Sequence, residues 1–184
     1  MAFLPVLLVD EYGYLTGGEA TFPVDVIEHG WESTPYPPLS GIAEFDWEPG
    51  ELGVQPGVFR HPEIRDWVCD ETAWSVLSGA AGDDLHLIGA GDLDGKPLFV
   101  VQVITVLDIV DREESIIDTY PTYEILRFPA FRAGSEELVE RRVFRVPGSF
   151  PDVFIGARIR EELDRAGVTG FNYAPVPFAG DAPA

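Results

Sequence analysis

The chain has 184 residues, is 46% hydrophobic and carries a net charge of −20. That length and apolar content suit a single domain, 1–184, able to bury a sizeable core, and a field of that sign opposes nucleic acid and anionic lipid as partners. The charge is uneven: Met1 to Glu124 holds 24 acids against four bases, Arg60, Arg65, Lys96 and Arg112, whereas from Ile125 onward eight acids meet eight arginines.

In chain order, the apolar run Phe3 to Val9 lacks a preceding Lys or Arg and is followed by Asp10-Glu11, which fits neither a secretory signal nor a membrane span. Leu4 to Val9 is the expected first strand. Tyr12 to Gly18 is a turn-rich connection whose glycines supply positive φ. It lacks the Gly-Lys-Ser/Thr ending and the nearby base of a phosphate loop. Thr34 to Pro38 is formally a PxxP segment, read as a loop crossing the surface. Ile42 to Trp47 alternates apolar and acidic residues, as an edge or half-buried strand does, and leads into the loop Glu48-Pro49-Gly50-Glu51.

Asp70 is placed to cap a short helix through Trp74 and Leu77, ended by Gly79. Asp84 to Ile88 is a short strand, Asp92 to Pro97 a turn, and Leu98 to Val110, the most β-branched run, a central strand. Thr122 to Phe128 and Arg141 to Val146 are two further strands, the second setting Arg142 and Arg145 against Val143, Phe144 and Val146. Val153 to Tyr173 reads as strand, helix and strand: Ile159, Leu163 and Ala166 make an apolar stripe, Gly167 is the left-handed cap, and Pro175 and Pro177 end the last strand. With no regular βαβ alternation, the expected class is α+β, a mostly antiparallel sheet with two or so helices packed on one face.

Few residues here point to catalysis. Cys69 is the lone cysteine, so no internal disulfide or cysteine metal cluster can form, and a cytoplasmic location is expected. His29, His61 and His86 have no metal-ligand spacing and read as surface or loop histidines. Ser40-Gly41 and Ser78-Gly79 form no Gly-x-Ser-x-Gly elbow. Asp92-Leu93-Asp94-Gly95 opens like a calcium loop, but Val103 stands where the bidentate Glu belongs, so a hairpin turn is the reading. Carboxylates are numerous enough that a close pair arises by chance, which leaves a carboxylate-dependent hydrolase as an alternative without specific support. The densest acidic stretch, Asp108 to Asp118, is either a solvated loop or a partner-binding edge.

The capped helix Asp70 to Ser78, Asp84-Leu85-His86-Leu87-Ile88, the long β run ending Val106-Leu107-Asp108, Arg142 to Val146, Val153 to Ile155 and the ending Ala166-Gly167-Val168-Thr169-Gly170-Phe171 together define a pattern. It resembles the eleventh immunity-protein family of bacterial polymorphic toxin systems over residues 65–176. Gly156 stands where that family commonly has a Ser-like helix cap, residues 1–64 diverge as an N-terminal strand and loop part, and 177–184 form a tail. The resemblance implies a cytoplasmic protein that blocks a cognate toxin without catalysis or cofactor. The charge independently suits a partner with a basic surface, which an acidic binding module unrelated to toxins would share. The expected interface is the acidic edge Asp108, Asp111, Glu113, Glu114 and Asp118, joined by Glu44, Asp46, Glu48 and Glu51 if the fold brings that loop near.

Overall fold

The computed structural model describes residues 1–7, 9–17, 35–36, 38–39, 41–59, 61, 67–121, 124–148 and 152–181. Gly18, His29, Thr34, Pro37, Ser40, Arg60, Arg65 and Thr122, which figure in the expectations above, lie outside the described residues.

The first strand, β1 (Ala2–Leu7), starts two residues earlier than expected, and a helical turn, α1 (Val9–Tyr12), follows it. The glycine-rich connection contains a further strand, β2 (Gly13–Gly17), with positive-φ glycines at both its ends. Gly13 must lack a side chain, because a Cβ there would run into the Glu48 carbonyl oxygen of the neighbouring strand. That neighbour is β3 (Ala43–Pro49), which pairs antiparallel with β2 and extends past Trp47 through the expected loop start. The Trp47 indole donates to the Tyr12 carbonyl at 2.9 Å, tying α1 to the pair.

β4 (Val58–Phe59) and β5 (Trp67–Asp70) precede α2 (Glu71–Ala81). Asp70 is its N-cap as expected, accepting from the Ala73 N–H at 2.7 Å. Gly79 does not end the helix. It is exposed, and Ala80 and Ala81, good helix formers, carry α2 to a cap at Gly82. A 3-10 turn, Gly82–Asp84, leads into β6 (Leu85–Leu93), which is longer than expected. It turns through Asp94 (φ 53) and Gly95 (φ 80) into β7 (Lys96–Val103), the two-residue hairpin read from the sequence.

The expected strand Leu98 to Val110 stops at Val103, for a reason distant in sequence. The Ile104 N–H donates to the Asp84 carbonyl and the Thr105 hydroxyl to the Asp84 carboxylate, so the chain leaves the sheet there. It continues as extended backbone with isolated bridges at Val106 and Val110. The acidic run is not all loop: its end forms β8 (Ile116–Thr119), the partner of β9 (Glu124–Phe128). After α3 (Glu136–Val139) come β10 (Val143–Phe144), β11 (Phe154–Gly156), α4 (Ala157–Arg165) and β12 (Phe171–Val176), which runs through Pro175. That proline is tolerated because β12 is an edge strand. Arg145 corrects the alternation expected for Arg141 to Val146: it is 1% exposed, inside the protein with Val143, Phe144 and Val146.

The fold is α+β with mostly antiparallel strands, divided between sheets. One has the order β10-β11-β1-β12, the second β2-β3-β6-β7-β5-β4 with only β3 and β6 parallel, and β8-β9 stands as a hairpin. Both larger sheets mix strands from before and after residue 65. The helices α2 and α4 pack together, and Ala73, Leu77, Ile159 and Leu163 share one core cluster with Trp67, Cys69, Val101 and Val103 of one sheet and Phe3, Val143 and Ile155 of the other. Alternate residues on the same strands face away from the helices. Val68, Ile88, Leu98 and Val100 meet Leu15, Phe45 and Tyr36, while Ala2, Phe144, Phe154 and Val176 meet Phe131, Ile109 and Leu126.

The ending Ala166 to Phe171 joins the two sheets. The N–H groups of Gly57 and Val58 both donate to the Thr169 carbonyl at 3.1 Å. Gly170 (φ 108) is buried so close to the Val58 carbonyl that a Cβ would collide with it. Gly156 has a similar cause: a Cβ would strike the Val139 and Glu140 carbonyl oxygens, and the Glu140 carbonyl takes the Arg158 N–H at 3.0 Å. The first turn of α4 is therefore capped by backbone from α3, and a serine at 156 would not fit.

Candidate functional site

The alternation of β3 sorts its side chains. Ala43 and Phe45 face the core, and Glu44, Asp46 and Glu48 stand exposed on the other side. Glu51 follows in a turn whose N–H donates to the Asp10 carbonyl at 2.9 Å, with Leu52 donating to Glu11 in the same way. Through these backbone bonds α1, with the exposed Asp10 and Glu11, lies against the turn that follows β3. Among the described residues no ion pair engages any of these six acids. The one side-chain hydrogen bond to them is from Tyr14, whose hydroxyl donates to Glu48 at 3.0 Å; that bond, and then the charge of Glu48, raises the Tyr14 pKa above its ordinary value.

The 108–118 run is neutralised in part. Arg132 pairs with Asp108 at 3.3 Å and Arg127 with Asp118 at 2.7 Å, while Arg112 reaches Glu124 at 2.6 Å. Asp111 is used internally, one carboxylate oxygen accepting the Glu113 and Glu114 N–H groups at 3.0 and 3.2 Å. Only Glu113 and Glu114 present carboxylates without a partner among the described residues. The bond with Asp118 comes first among the causes that hold the Arg127 pKa above its ordinary value. The two acidic groups lie on different parts of the fold: the β3 group on the six-stranded sheet, the 108–118 run beside the β8–β9 hairpin. No bond joins one to the other among the described residues.

The remaining polar groups build structure. Asp84, 1% exposed, accepts from the Arg142 guanidinium at 2.6 Å, the Thr105 hydroxyl at 2.7 Å and the Val143 N–H at 3.0 Å, linking three chain segments. His61 lies outside the strands and helices, as expected of a loop histidine, but not at the surface, while His86, on β6, is neither a loop nor a fully exposed histidine. His61 is buried with Nε2 3.0 Å from the Gly17 carbonyl oxygen, and His86 is half-buried with Nε2 2.8 Å from that of Tyr36. Burial first, and then the charge of Asp70, pushes the Cys69 thiol far up, so it is not a nucleophile at neutral pH. An open depression of about 400 Å³ at the end of α2 is lined by Gly82, Asp83, Asp84, Arg141 and Arg142, where acid and base offset each other. Among the described residues no group of three or more His, Cys, Asp or Glu is arranged to hold a metal ion, and no helix is long and apolar enough to cross a membrane.

Sequence reasoning missed Asp10 and Glu11 as part of the β3 face, because the contact depends on the turn at Gly50. There a Cβ would collide with Gly13, Glu11 and Asp10 backbone. The signal available was the paired glycines, Gly13 and Gly50, flanking acids on both sides. No protein-family model matches this chain, and neither does any curated protein.

Proposed function

We propose that this protein is a binding protein of the immunity type, which neutralises a cognate bacterial toxin domain by occupying its basic surface and carries out no chemistry of its own. The single observation behind this reading is the set of exposed carboxylates Glu44, Asp46 and Glu48 on β3, Glu51 in the turn after it and Asp10 and Glu11 in α1, none of them in an ion pair among the described residues. Such a set attracts a cationic partner over a Debye length and orients it before contact. The resemblance of residues 65–176 to the eleventh immunity family supplies the class of partner. Toxins that attack nucleic acids carry basic clefts, and carboxylates presented in place of phosphate would block one.

The test is co-expression with a toxin domain encoded directly upstream of this gene. Growth should be rescued, and the purified pair should form a stable complex. Hydrolysis of glycosides, esters or phosphodiesters by the protein alone, abolished by replacing one Asp or Glu, would replace this reading with the hydrolase alternative.

A further inference from the structure

The β8–β9 hairpin carries an apolar pair that its own packing does not use. Leu126 is buried, and Ile117 packs against the same core cluster. At the base of the hairpin Ile116 and Phe128 pair across the strands and are 57% and 68% exposed. In a regular strand Phe128 would share a face with Leu126, two residues away, and would be buried with it. The register shift between Ile116 and Ile117 breaks that rule, as bulges do when they re-aim a side chain. The base is held firmly: the Ser115 hydroxyl bridges the Ala130 carbonyl and N–H at 3.3 and 2.9 Å, and the Arg127–Asp118 pair ties the strands together. The two anchors are therefore preorganised, which lowers the entropy cost of docking them.

The charges around the pair indicate what it meets. Glu113 and Glu114 lie just before Ile116, exposed, their backbone fixed by Asp111. A second copy would bring its own charge of −20 against the first, and an anionic lipid surface would be repelled in the same way. We infer that Ile116 and Phe128 anchor a second contact, apart from the β3 carboxylates, and insert into an apolar recess, rimmed by Lys or Arg, on a protein partner. This rests on the reading that the protein acts by binding, and it adds a further point of contact and the chemistry it needs. An exposed aromatic and aliphatic pair beside the unpaired Glu113 and Glu114 matches the arrangement in which a few residues carry most of the binding energy.

The test uses isoleucine-methyl NMR of the full chain, titrated with two short peptides of equal length and charge, one alternating Lys with Leu and the other Lys with Ser. The Lys/Leu peptide should move the Ile116 methyl resonance and bind about tenfold or more tighter than the Lys/Ser peptide. Combining Ile116→Ser with Phe128→Ser should erase that difference, while Phe128→Tyr retains most of it. Both side chains are exposed, so the double variant should melt like the parent, which the same spectra check. Equal binding of both peptides, or an unmoved Ile116 methyl, overturns the inference. A concentration-dependent Ile116 shift without peptide would make the occupant a second copy, and a shift with phosphatidylcholine vesicles alone would make it a membrane; either overturns the assignment. A toxin domain that fails to bind counts against the proposed function without altering this titration. A titration unaffected by the double serine variant counts against the anchor and leaves the proposed function standing.

Discussion

Gly170 combines a φ of 108° with backbone contact to Val58, so Gly170→Ala should cost about 2 to 5 kcal/mol, measured by urea unfolding. An unchanged midpoint would mean that the two sheets are not joined at that point. Asp84→Ala should cost about 2 to 4 kcal/mol, because it strands the Val143 N–H and removes the partner of the half-exposed Arg142. Tyr173 gives a pH signature: burial first, then the charge of Asp164, pushes its pKa to about 12. A raised folded-state value means that the unfolded chain loses this proton first, so stability should fall as pH rises from about 10 to about 12. Tyr173→Phe should remove that part of the decline, and an ultraviolet titration of that variant should lose one late-ionising tyrosine relative to wild type. At this scale the chain was readable where neighbours decide conformation: the Asp70 cap, the Asp94-Gly95 turn and the positive φ at Gly167 all follow from local chemistry. What Gly156 and Gly170 avoid is backbone far along the chain, which no local pattern encodes.

Elements with one strong period were the most legible. Of the expected stripe, Ile159 and Leu163 of α4 are fully buried and packed with α2, whereas Ala166 is exposed beyond the helix end; Leu163→Ala should cost about 2 to 5 kcal/mol in thermal or urea unfolding and leave intrinsic affinity for a partner unchanged. A cost under 1 kcal/mol would show a helix that is not packed as described. Misread elements had competing long-range partners. Val103 to Val110 is as β-branched as the strand before it, yet the Asp84 carbonyl and carboxylate draw the chain out of the sheet. Arg145 sits in an alternating run that marks an exposed face, and its burial depends on the core between the four-stranded sheet and the Val106–Val110 segment. The division of the strands between two sheets was equally hidden, since strand count alone does not say which strands pair.

Over the whole molecule, charge totals along the chain do not say which acids the fold leaves unpaired. The arginines that meet Asp108 and Asp118 come from the balanced C-terminal third, and only folding brings Arg127 and Arg132 to the acidic run. The β3 acids were recognisable from their alternation, and the fold adds Asp10 and Glu11 to them. The proposed steering role of these acids is tested by association rates with a toxin domain that co-expression shows this protein to neutralise, at low and high salt, for wild type and for the variant Glu44→Gln, Asp46→Asn, Glu48→Gln, Glu51→Gln. The variant's on-rate should be lowered about tenfold at low salt and its salt dependence flattened, with the melting temperature nearly unchanged because exposed charges contribute little to stability. Wild-type on-rates with an unaltered salt slope would contradict that role.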